Sequence, residues 1–122
     1  MSTRTLAPCP SSPNCVSTLA PATDERHTIA PYRYMKARAE AKEALKDAIT
    51  TLPRTKLVEE DENYLHYEFT SRLLRFVDDV EFVFDDESKT IHFRSASRLG
   101  YGDYGMNRDR MEEIRALVNG KI

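Results

Sequence analysis

Arginines set among glycines and serines can receive an anion. Residues 94 to 110 carry that combination: Arg-Ser-Ala-Ser-Arg-Leu-Gly-Tyr-Gly-Asp-Tyr-Gly-Met-Asn-Arg-Asp-Arg. Three of the chain's four glycines fall between residues 100 and 105. Glycines let the backbone take positive φ and let another group come close. Arg94, Arg98, Arg108 and Arg110 would supply guanidinium forks for a phosphate or carboxylate. The N–H groups of Gly100, Gly102 and Gly105, and a helix opening at Asn107, would complete the receptor. Ser95, Ser97 and Asp103 line the same stretch, and Asp103 could itself be the internal anion. The competing reading is a structural turn whose arginines tie the N-terminal segment to a sheet. The spacing Gly100-x-Gly102-x-x-Gly105 imitates a dinucleotide fingerprint. It lies near the end of the chain and outside any early βαβ unit, so that reading is rejected.

Three other groups could carry chemistry. Asp78, Asp79 and Glu81 could hold a divalent cation through carboxylate oxygens. Strand alternation separates Asp78 from the other two, which favours a plain ion pair between Asp79 or Glu81 and Arg94 on the next strand. Cys9 or Cys15 with His27 could make a nucleophile and its base. No cysteine-enzyme motif surrounds them, so the reading set against it is a disulfide or inert thiols, with His27 hydrogen-bonded where the arm joins the domain. A turn at Pro13-Asn14 folds the arm back and brings Cys9 and Cys15 within disulfide reach. Ser95 and Ser97 share a strand face, and neither has an evident base. Two cysteines are too few for a zinc site, and neither a metal nor a cofactor is expected.

The bulk properties bound the function. A chain of 122 residues, 40% hydrophobic and 31% charged, makes one ordinary globular domain. A net charge of −2 with interleaved bases and acids argues against nucleic acid as a partner. No apolar run reaches the length of a membrane helix. Met1 to Thr18 shows no signal-like apolar core, so the sequence as given reads as cytoplasmic. The alternative is a processed chain in a periplasm or another oxidising compartment, where the two cysteines would pair.

The elements that must position these residues follow from periodicity. Residues 1 to 33 hold five of the six prolines and read as an extended arm packed on the domain, without regular structure. The α+β domain then runs from 34 to 122. Tyr34, Ala37, Ala41, Leu45, Ala48 and Leu52 predict a first helix over 34–52, ended by Pro53. The period then changes to two. Strands are expected at 55–60, 64–70, 76–84 and 90–96, with turns at Glu60-Asp-Glu-Asn63 and Asp85-Asp-Glu-Ser88. Phe76, Val80, Phe82 and Phe84 should face the core, and Asp79 and Glu81 the other side. Asn107 reads as the N-cap of a last helix carrying Met111, Ile114, Leu117 and Val118. The predicted fold is a four-stranded antiparallel meander covered on one face by two helices.

Four separated motifs now combine. They are Cys-Pro-Ser-Ser-Pro-Asn-Cys-Val-Ser (9–17), His-Thr-Ile-Ala-Pro (27–31), Phe-Val-Asp-Asp-Val-Glu-Phe (76–82) and the arginine-glycine stretch (94–110). In this order they resemble the bacterial and plastid family catalogued as domain of unknown function 1499. The resemblance spans nearly the whole chain and implies no nameable activity. It implies, for many members, a periplasmic or thylakoid-type compartment. Gly102, where relatives tend to have serine, and a first helix without tryptophan depart from that pattern.

The leading functional expectation is a small binding or accessory domain with an anion or carboxylate pocket at the arginine-glycine loop. Its partner would be an unidentified protein or a small anionic ligand. The alternatives are an enzyme using Cys9 or Cys15 with His27, and a purely structural docking domain.

Overall fold

The computed structural model of the protein describes residues 5–73, 75–100 and 105–122. Eight elements follow in chain order. They are β1 (Cys15–Ser17), β2 (Tyr32–Arg33), α1 (Arg38–Thr50), β3 (Thr55–Asp61), β4 (Tyr64–Thr70), β5 (Val77–Asp85), β6 (Thr90–Ser97) and α2 (Met106–Val118). The fold is α+β, with one antiparallel sheet and two helices, as the periodicity predicts. The sheet has six strands rather than four, in the order β1-β6-β5-β4-β3, with β2 also on β6.

The two extra strands come from the arm. Cys15 pairs with Ala96 and Ser17 with Arg94, while Tyr32 pairs with Ile91 and Arg33 with Thr90. The expectation of an arm without regular structure is therefore corrected. An unpaired β6 edge would leave a row of backbone groups open, and the arm closes it.

Helix α1 owes its length to Ala, Glu and Lys, which lose little on entering a helix. Its buried residues Ala41, Leu45, Ala48 and Ile49 make one stripe. It starts at Arg38, not at Tyr34. The amides of Met35 and Lys36 donate to the carbonyl of Ile122 at 2.8 and 3.1 Å, so they are taken before the helix begins. Tyr34 remains in the core, and its hydroxyl donates to Asp86 at 2.7 Å.

The core lies between one sheet face and both helices. Leu65, Phe82, Ile91 and Phe93 meet Leu45, Ile49, Met111 and Ile114 there. Each such side chain contributes on the order of 1.5–3 kcal/mol when fully buried. Phe76 does not join them. Strand β5 begins one residue later, and Phe76 is exposed. Asp78 is the first residue of β5 to point to the core side, followed by Val80, Phe82 and Phe84. Its burial requires a partner.

The meander also sorts charge. The β3–β4 and β5–β6 turns lie at one end, with Glu59 to Glu62 and Asp85 to Glu87. The β4–β5 connection lies at the other, with Arg72 and Arg75.

Candidate functional site

The partner of Asp78 is Arg110. Asp78 leaves β5 toward the helices, and Arg110 comes down from the first turns of α2. The Nη2 group donates to Asp78 Oδ2 at 2.6 Å, with both side chains nearly buried. The Nη1 group donates to Asn107 Oδ1 at 2.9 Å and to Ser95 Oγ at 3.2 Å. Ser95 Oγ donates to Asn107 Oδ1 at 2.6 Å. The Asn107 amide donates to Ser97 Oγ at 3.0 Å and to the Asn14 carbonyl at 3.2 Å. Asn14 in turn donates to the Gly100 carbonyl at 2.9 Å. The guanidinium of Arg110 lies 4.8 Å from the Phe69 ring centroid, which shields the pair from water.

Six expected site residues are thus brought together: Asp78, Ser95, Ser97, Gly100, Asn107 and Arg110. The anion they enclose is Asp78. Asn107 is not the N-cap. Gly105 holds that position with φ 78°, and Asn107 lies two residues on, within the first turn and fully buried. An asparagine amide can cap a helix, but here two serines, a carbonyl and an arginine claim it. Asn14 was missed because its role is long-range and no local pattern marks it. Gly102 and Asp103 lie outside the described residues.

Arg94 and Arg98 face the other side of the sheet. Arg98 donates to both Asp79 oxygens at 2.7 and 2.8 Å and to Glu68 at 2.6 Å. His66 Nε2 lies 2.8 Å from Asp79 Oδ1. The Arg98 guanidinium, helped by His66, holds the Asp79 carboxyl below its ordinary range against the opposing effect of burial. Tyr64 donates to Glu81 at 2.6 Å. The expected bond from Arg94 to Asp79 or Glu81 is therefore corrected. Arg94 sits opposite Glu81 in register, yet its Nη2 points to the Pro8 carbonyl at 3.5 Å, and its buried Nε meets no acceptor among the described residues. Arg108 reaches the carbonyls of Glu25 and Arg26 at 3.5 and 3.3 Å. The four arginines diverge, so they do not form one fork-lined receptor. Asp78 is also apart from Asp79 and Glu81, and no cluster of metal-binding side chains occurs among the described residues.

The cysteine-histidine pair is corrected as well. Cys9 and Cys15 are joined in a disulfide with a Cα separation of 5.8 Å, as the turn at Pro13-Asn14 predicts. No thiol is left to be a nucleophile. His27 Nδ1 lies 2.8 Å from Asp24, and Nε2 donates to the Ser12 carbonyl at 2.8 Å. The ring fastens the disulfide loop to the rest of the arm.

The motifs of the arm, of β5 and of the α2 entry therefore meet in one interlocked unit. The sequence profile of the family described as protein of unknown function (DUF1499) matches residues 5–118. The chain belongs to the DUF1499 family. No curated protein and no solved structure matches it.

Beside the internal network, this DUF1499 chain has a groove of about 660 Å³. Leu52, Phe69 and Met106 line it, and Arg54, Arg72 and Arg110 enter it, as do Asp109 and Glu113. Arg54 donates to the Thr70 carbonyl at 3.0 Å. Arg72 pairs with no carboxylate among the described residues. The volume suits a small organic molecule, and apolar walls with a few convergent charges are what such ligands require. No described helix is long and apolar enough to cross a membrane.

Proposed function

We propose that this chain is a small binding domain and that it takes a carboxylate-bearing ligand in the groove between the end of α1, the end of β4 and the start of α2. The single observation that carries this reading is the groove's composition, in which Leu52, Phe69 and Met106 share the lining with Arg54 and Arg72. A guanidinium at such a rim pairs with a carboxylate, and the ligand's hydrocarbon part covers Phe69 and Met106. The reading keeps the anionic ligand class expected from the arginine-glycine stretch. It moves the seat, because Asp78 already neutralises Arg110 within the network.

The test is a titration with hexanoate, followed by amide shifts. Saturable shifts at Ser71, Arg72, Met106 and Asp109, with inorganic phosphate weaker, are the expected result. A dissociation constant of about 1 mM, some 4 kcal/mol, suits so small a probe. Absence of saturable shifts at these amides contradicts the reading.

A further inference from the structure

The groove holds charges of both signs. Arg54 and Arg72 share its lining with Asp109 and Glu113. None of these four side chains makes an ion pair among the described residues. Arg110, the other cation there, is neutralised by Asp78. Arg54 is fixed to the end of β4. Its Nε donates to the Thr70 carbonyl at 3.0 Å, and its own carbonyl accepts from the Thr70 amide at 3.0 Å. These two bonds sustain a φ of 56°, a left-handed conformation unfavourable for a residue with a side chain. Asp109 and Glu113 lie four residues apart, on one face of α2.

A bare carboxylate answers only half of this lining. It pairs with the arginines, but it also brings negative charge toward two acids that have no counterion among the described residues. An ammonium group on the same ligand removes that conflict. Burial places the hydrocarbon. Phe69 is buried and Leu52 half-buried, whereas Arg54, Arg72, Asp109 and Glu113 are exposed. The charged side chains thus stand toward solvent and the apolar ones lie deeper. A matching ligand carries both charges at one end and hydrocarbon at the other, as an apolar α-amino acid does.

We infer that the groove takes a free α-amino acid with an apolar side chain. Its carboxylate meets Arg54 and Arg72, its ammonium meets Asp109 and Glu113, and its side chain covers Phe69 and Leu52. The inference rests on the carboxylate reading above and names the ligand class.

Titrations followed by amide shifts test it at about pH 6.5, where α-amino groups are protonated. The probes are hexanoate, norleucine and 6-aminohexanoate. Norleucine should bind about tenfold more tightly than hexanoate. Its isomer 6-aminohexanoate, with the charges at opposite ends, should bind less tightly than norleucine. In the double variant Asp109→Asn, Glu113→Gln, norleucine should lose its advantage while hexanoate still saturates, which also shows that the variant is folded. Hexanoate binding that norleucine does not exceed overturns this inference and leaves the carboxylate reading standing. A norleucine advantage that survives the double variant overturns it too, as does tighter binding of 6-aminohexanoate. Absence of saturable shifts with all three probes overturns both.

Discussion

Two arginines of similar sequence context have opposite roles. Arg110 is nearly buried against Asp78, whereas the Arg98 side chain is close to half exposed. Removing one member of a buried pair strands a charge, so Arg110→Ala should cost about 3–5 kcal/mol. Arg98→Ala should cost less, because water screens its carboxylates once the arginine is gone. Urea melts of the two variants check the order. Asp79 gives a pH signature. Its carboxyl is held below the usual 3.8, so it adds stability that is fully present above that value. The contribution is lost as pH falls through the lowered value. The stability gap between the wild type and Asp79→Asn should be constant from about pH 5 to 7 and close below about pH 4. A gap that widens in acid contradicts this. The parity that separates Asp78 from Asp79 was legible in the sequence, because strand alternation fixes it. Their partners were not. Pairing Asp79 with Arg98 rather than Arg94 depends on side-chain reach beyond the strand end. Pairing Asp78 with Arg110 depends on how α2 lies across the sheet.

The elements show the same division. Strands β4, β5 and β6 were readable because seven to nine residues give several periods of alternation. Strands β1 and β2 have three and two residues, too few to show a period. Their pairing is imposed by the open edge of β6. The start of α2 was misassigned to Asn107 because a side-chain capping signal was present, while the actual cap is a backbone feature. Gly105 has φ 78°, and Gly105→Ala should destabilise the protein by about 1 kcal/mol although a Cβ would meet no atom there. Thermal melts check it. The disulfide closes a short loop, so replacing Cys9 and Cys15 together by serine should cost at most about 2 kcal/mol. His27 and the β1 pairing should hold the arm in place after that change. Loss of the β1 amide protection in hydrogen exchange would contradict it.

At the scale of the whole molecule, the interlocked unit and the groove adjoin, and Arg110 belongs to both. Asn14, Ser95, Asn107, Asp78 and Arg110 join arm, sheet and helix in the interior. The groove lies beside them, and the arginine-bearing loop lies beyond. The arginines suggested an anionic ligand class from composition alone, and the proposal keeps that class. The groove proposed to receive it was not legible, because Leu52, Phe69 and Met106 are far apart in sequence and meet only in the folded chain. Under the proposed function an external carboxylate is received by the groove and not by the arginines of the 94–110 stretch on the open sheet face. Hexanoate affinity measured for Arg72→Ala and Arg98→Ala decides it. Arg72→Ala should lower the affinity about tenfold, and Arg98→Ala should leave it unchanged. A loss with Arg98→Ala and none with Arg72→Ala would contradict it.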